Sequence, residues 1–202
     1  MKVNTHEGYD IYEHVHRFAG WAASTASSQK GHRFSVEDGQ KIIKAAGLRE
    51  ILCDPGCLPT KPEDMDVKHK QWRKNVINEA YRVKPSAKFN DGIAAKLINV
   101  YLKVGLVTVA NCNNKSVAKG IAALHPPIDR QLLKGLRKSD EKSEEKADQK
   151  RAKFWKSKER KGAGWSNFNS KQYQAVIDKI REKLGPEMPL WMIEEHWKGF
   201  QG

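Results

Sequence analysis

The sequence predicts an all-α fold, and three observations lead there. Apolar residues recur at three- and four-residue spacing along most of the chain. Helix start and stop signals bracket those stretches. There is no strand–helix alternation, no internal repeat and no glycine-rich phosphate loop. The only candidate strand is VGLVTVA, residues 104–110, and it reads equally well as the continuation of the helix before it.

Taken in order, Ile11, Val15, Phe18, Ala22 and Ala26 line one face of a first helix from about Tyr9 to Ser28. Ser35 and Asp38 have the spacing of a capping box, and Gly47 closes the helix they open. CDPGCLPTKP, residues 53–62, holds three prolines and a glycine in ten positions and is a loop. A third helix follows, with Trp72, Val76 and Ala80 on one face. In FNDGIAAKLINVYLKVGLV, residues 89–107, Asn90 or Asp91 is the N-cap and Phe89 a staple outside it. Ile93, Leu97, Tyr101 and Val104 form the core stripe there. Towards the end, Asn169 or Ser170 starts a helix that buries Tyr173, Val176, Ile177 and Ile180 and stops at Gly185-Pro186. PLWMIEEHW, residues 189–197, reads as a last helix.

The 202 residues suffice for one domain with a sizeable core, and no apolar run approaches the ~18 residues that cross a bilayer. The opening MKVNTHEGYD lacks the pattern of a secretory signal. Three cysteines, Cys53, Cys57 and Cys112, suggest no disulfide framework and point to a reducing cytoplasm, nucleoid-associated if the source is bacterial. Cys53 and Cys57 alone do not make a zinc site, so no metal is expected. A net charge of +13 suggests a polyanionic partner, most often nucleic acid. Residues 137–161 hold eleven basic and six acidic side chains, with Lys138, Lys142, Lys146 and Lys150 four apart, and read as a solvated helix or flexible insert. The rest of the chain still carries a basic surplus of eight.

Two polar groups stand out against this apolar background. Lys96 lies beside the core stripe of its helix, where partial desolvation would favour a neutral, nucleophilic amine. The ordinary alternative is a lysine that snorkels to solvent. In HPPIDRQLLKGL, residues 125–136, two prolines force an extended approach and deliver Asp129 to the N-cap of the next helix. A rigid carboxylate and an amine 33 residues earlier are the groups needed to cleave an N-glycosidic bond: one stabilises cationic charge at the sugar carbon, the other attacks it.

GIAAKLINVYL followed by HPPIDRQLL resembles the catalytic core of the helix-hairpin-helix DNA glycosylases. Among these it is most similar to the 8-oxoguanine DNA glycosylases of the archaeal type. The resemblance covers about residues 89–136 and implies two small helical halves with a cleft between them, in a single domain spanning residues 1–202. It makes Lys96 the nucleophile, Asp129 the essential carboxylate and Gly92 the hairpin glycine, with Arg130 and the amides near Gly92 holding phosphate. It further implies a base pocket walled by the last helix, with Trp191 and Trp197 stacking on the base and Glu194 on its polar edge. The substrate would be duplex DNA with a damaged base, with no cofactor, since three cysteines cannot build the four-cysteine cluster of some relatives. The chain departs from the family in its hairpin, FNDGIA, which has one glycine where the family has two. The sequence sets no oligomeric state, and a monomer is assumed. Two other readings stay open: a glycosylase-like fold that grips DNA or RNA without chemistry, and a helical nuclease or toxin using His125 and Asp129.

Overall fold

The computed structural model describes residues 9–28, 34–86, 88–108, 114–160, 162 and 164–199. Among these the fold is all-α. The helices are α1 (Ile11–Ser27), α2 (Val36–Ala45), α3 (Arg49–Cys53), α4 (Pro62–Val83), α5 (Asp91–Leu102), α6 (Lys115–Ala123), α7 (Arg130–Glu141), α8 (Lys146–Glu159) and α9 (Ser170–Leu184). Short 3₁₀ turns occupy Pro55–Cys57, Trp165–Asn167 and Leu190–His196.

The local signals act where the side chains place them. Ser35 accepts from the Asp38 amide while the Asp38 carboxylate accepts from the Ser35 amide, a complete capping box. Asn169 and Gln172 build a second one at α9. That helix ends at Gly185, whose φ of 84° suits a residue without a Cβ. Asn90 caps α5 by accepting from the Ile93 amide at 3.1 Å, and Phe89 packs tilted against Phe34 at 4.9 Å.

Buried apolar side chains form one continuous cluster from Ala19 in α1 to Ile193 near the C-terminal end, and α5 threads it. Every residue of α5 from Gly92 to Asn99 is buried, so this helix has no solvent face. Helices α1, α4 and α9 pack on it, and so does the Trp165–Asn167 turn. That last contact is backbone on backbone. Gly92 donates its amide to the Phe168 carbonyl at 3.1 Å, and a Cβ at Gly92 would lie 1.8 Å from the Trp165 carbonyl oxygen. Gly135 in α7 makes an equally close approach, where a Cβ would lie 1.9 Å from the His196 carbonyl oxygen.

Three segments differ from expectation. Residues 104–108 form no strand: Lys103–Val107 is a π-helical turn continuing α5, with Gly105 and Leu106 buried; residues 109–110 lie outside the described residues. Leu190–His196 is 3₁₀ rather than α, because Leu190 and Ile193 reach the core three positions apart and Pro189 precedes them. Residues 137–160 are helical with an exposed charged face, but they are the end of one helix and the whole of another, and a second face packs into the core. The turn at 142–145 breaks the lysine stripe, leaving Lys138 on α7 and Lys146 and Lys150 on α8. Helix α8 then packs along α7, placing Trp155 at 0% exposure with its indole N–H donating to Asp140 at 2.8 Å. Asp140, also fully buried, accepts from Lys183 at 2.6 Å, which ties the hairpin to α9. Trp155→Ala is therefore expected to cost about 3–5 kcal/mol. Urea unfolding measures this directly, and an unchanged midpoint would mean that the hairpin is not part of the core.

Candidate active site

Lys96 and Asp129 meet. The Lys96 ammonium donates to Asp129 Oδ2 at 2.9 Å, with only 7% of the lysine side chain exposed. It does not snorkel, because α5 offers no route to bulk water except through a pocket beside it. Asp129 is the N-cap of α7, and its Oδ1 accepts from the Leu132 amide at 2.9 Å. The Trp197 indole N–H bridges both carboxylate oxygens at 3.1 and 3.0 Å. Burial alone would push the Asp129 carboxyl up, but Lys96, the Leu132 amide and Trp197 together hold it below its ordinary value. It is an anion at neutral pH.

The pocket has a volume of about 460 Å³. Lys96, Val100 and Lys103 line it from successive turns of α5 and its π-helical extension, Asp129 and Arg130 from the start of α7. Glu194, Trp165 and Trp197 also line it. Glu194 is ion-paired with Lys103, yet burial outweighs that partner and pushes its carboxyl above the ordinary value. The pocket thus carries two acid–base pairs, Lys96–Asp129 and Lys103–Glu194.

Of the residues named from sequence, Lys96, Asp129, Arg130, Glu194 and Trp197 converge here, and two do not take the place expected of them. Gly92 is buried and its amide is engaged by Phe168, so it cannot present an N–H to a phosphate. Trp191 is 41% exposed and lies off the pocket, since Leu190 and Ile193 take the inward positions of their turn. Trp197 is present, but as the donor that fixes Asp129 as well as a wall. The aromatic wall that the sequence did not single out is Trp165, 7% exposed, with Lys96 Nζ 5.7 Å from its ring centre. Its signal was a lone indole in GWSNF, just ahead of a capping box.

Behind the pair runs a chain of buried polar groups. Asn99, one turn after Lys96, donates to the Pro126 carbonyl at 2.8 Å and to the Tyr173 hydroxyl at 2.9 Å. Its own oxygen lies 2.7 Å from His69 Nε2, while His69 Nδ1 lies 2.7 Å from Arg73. Arg73 carries no proton acceptor, so His69 must accept at Nδ1 and donate from Nε2. Tyr173 continues to His125 Nδ1 at 3.1 Å, and His125 Nε2 to Asp66 at 2.8 Å. Asp66 is clamped by both terminal nitrogens of Arg181 at 2.7 Å. This chain fixes the His-Pro-Pro turn, and hence Asp129, against the helix that carries Lys96. It also removes His125 from the pocket: both ring nitrogens are engaged, so it cannot act beside Asp129 as a metal ligand or acid–base group. No group of three or more His, Cys, Asp or Glu is placed to hold a metal among the described residues. Cys53 and Cys57 are free and exposed; Cys112 lies outside the described residues. No described helix is long and apolar enough to cross a membrane.

Comparison with protein-family models, with curated proteins and with solved structures finds no match.

Burial holds His69 and His125 neutral, below the ordinary imidazole value of 6.5. The unfolded chain then takes up protons before the folded one, so stability falls as pH drops below about 6.5. The slope is up to about 1.4 kcal/mol per pH unit for each histidine. Urea midpoints between pH 7 and pH 5 are expected to fall accordingly, and to fall less in His69→Gln. A flat profile in the unaltered protein would mean that the imidazoles are charged when folded.

Proposed function

We propose that the protein is a DNA glycosylase with lyase activity, acting on an oxidised purine such as 8-oxoguanine in duplex DNA. One observation carries the reading: a buried lysine amine 2.9 Å from a carboxylate, both on the wall of an open pocket. A buried ion pair is a poor way to gain stability, since desolvation offsets most of the attraction. Such a pair on the wall of a cavity, with the part-exposed Lys103–Glu194 pair beside it, therefore favours chemistry over structure as its reason. The net charge of +13 suits a polyanionic substrate.

In this reading duplex DNA binds through its phosphates, and the damaged nucleotide rotates out of the stack into the pocket. Trp165 and Trp197 flank the base, and the Lys103–Glu194 pair supplies a donor and an acceptor for its polar edge. The Lys96 nitrogen bonds to C1′ as the C1′–N bond breaks, and the purine leaves with that electron pair and the proton that the ammonium gives up. Asp129 remains negative and faces the cationic charge that builds on the sugar. Ring opening, with a proton going to O4′, leaves an imine between Lys96 and C1′. Loss of a C2′ proton then expels the 3′-phosphate.

Borohydride reduces such an imine to a permanent adduct. The protein is expected to trap on an oligonucleotide carrying 8-oxoguanine, Lys96→Gln to lose the adduct while still binding, and Lys74→Gln, altered at an exposed lysine of α4, to keep it. Trapping that survives Lys96→Gln would place the nucleophile elsewhere. Binding with neither adduct nor strand cleavage in the unaltered protein would favour a non-catalytic nucleic-acid-binding role.

Asp129→Asn keeps a good helix cap and a neutral oxygen for Lys96 but not its counter-charge, so stability should fall in part with the fold retained, while excision falls roughly 10²–10³-fold. Single-turnover cleavage beside a circular-dichroism melt separates the two effects. Full activity in Asp129→Asn would reduce the residue to its capping role.

A further inference from the structure

A second cleft, of about 540 Å³, adjoins the Lys96 pocket and shares two of its residues, Arg130 and Trp165. Lys158 and Arg160, from the end of α8, line its other side. Three cations therefore converge on it. Arg130 and Arg160 are exposed and have no ion-pair partner among the described residues, and Lys158 has only the Phe154 ring, 5.0 Å away. The one carboxylate lining the cleft, Glu159, is taken by Arg137 at 2.7 Å. Ser166 and Asn167 add a hydroxyl and a carboxamide whose side chains make no hydrogen bond among the described residues. Like charges left unpaired around a cavity repel one another, and an anion relieves that repulsion. The carbonyl end of α8 disfavours an anion against the backbone there, so the side chains must hold it.

We infer that this cleft binds the nucleic-acid backbone phosphate next to the nucleotide whose base enters the Lys96 pocket. The inference rests on the proposed base excision for its choice of nucleotide. A strand that sets a sugar at Lys96 and passes Arg130 leads its next phosphate into the cleft, with Trp165 as the wall between base and phosphate. Lys158 and Arg160 belong to the α7–α8 hairpin, so that hairpin acts as a clamp on the strand. Two other hairpin guanidiniums are not free for a phosphate: Arg137 pairs with Glu141 and Glu159, and Arg151 with Asp140 and Asp148.

The test measures binding apart from chemistry, in the Lys96→Gln protein, by fluorescence anisotropy on a duplex carrying 8-oxoguanine. Each phosphate around the lesion is replaced in turn by a neutral methylphosphonate. One flanking position is expected to cost roughly tenfold in affinity, as for a lost charge-assisted contact. Adding Lys158→Ala/Arg160→Ala should abolish that loss and shrink the slope of log affinity against log salt by about 0.9 for each phosphate released. Lys146→Ala/Lys150→Ala, which removes the same charge from exposed positions of α8, should keep the methylphosphonate effect. The inference is overturned by a scan without position dependence, by an equal loss in the Lys158→Ala/Arg160→Ala protein, or by no duplex binding at all. A position-dependent scan in a chain whose unaltered form never traps with borohydride would refute base excision and leave the phosphate cleft standing. Trapping with a flat scan would do the reverse.

Discussion

A helix buried on every side must find a partner for each polar group it carries, and on α5 Lys96 and Asn99 matter most for the pocket. Left unpaired, the ammonium would cost several kcal/mol and the carboxamide about 1–3. Their partners come from elsewhere in the chain: Asp129 for the lysine, and the Pro126 carbonyl, Tyr173 and His69 for the asparagine. Because Pro126 and Asp129 belong to one turn, the two residues of α5 grip that turn at two points, one helical turn apart. The turn is stiff between them, since Pro126 and Pro127 hold φ near −65°. The position of α7, and with it one wall of the pocket, follows from satisfying α5.

This explains what was legible in the sequence. The stripe of Ile93, Leu97 and Tyr101, the Asn90 cap and the Asn169 start are local matters, decided by spacing and by side chains within four residues. Lys96 and Asp129 were legible as a pair because each stood out locally: a lysine in an apolar helix, and an aspartate after two prolines. That they touch is a tertiary fact, across a sequence separation of 33. The buried state of Lys96 was not legible, because α5 turns out to be covered all round and not on one face only.

What the sequence hid is mostly non-local. Trp165 sits in a five-residue stretch with no periodicity, and only the docking of that stretch onto the start of α5 brings its ring near Lys96. The hairpin at 137–160 has a charge density that reads as solvated, and its packing depends on one tryptophan and one aspartate finding each other across a turn. His125 looked like a candidate for chemistry by residue type, yet the hydrogen bonds on both of its ring nitrogens make it part of the frame. Gly92 was marked by its place ahead of the lysine, and the structure gives it a packing reason instead.

That reason has a counterpart on the other side of the pocket. Each indole wall is borne by a short 3₁₀ stretch that rests, carbonyl against Cα, on a glycine of a helix holding one member of the central pair: Gly92 under Trp165, and Gly135 under His196, next to Trp197. The cavity is thus shaped by two missing methyl groups as much as by the side chains that line it. An alanine at either position would leave the amine and the carboxylate in place in the chain and dislodge the wall opposite. Natural variants of this protein should therefore accept exchange among the pocket's apolar residues more readily than any side chain at these two sites.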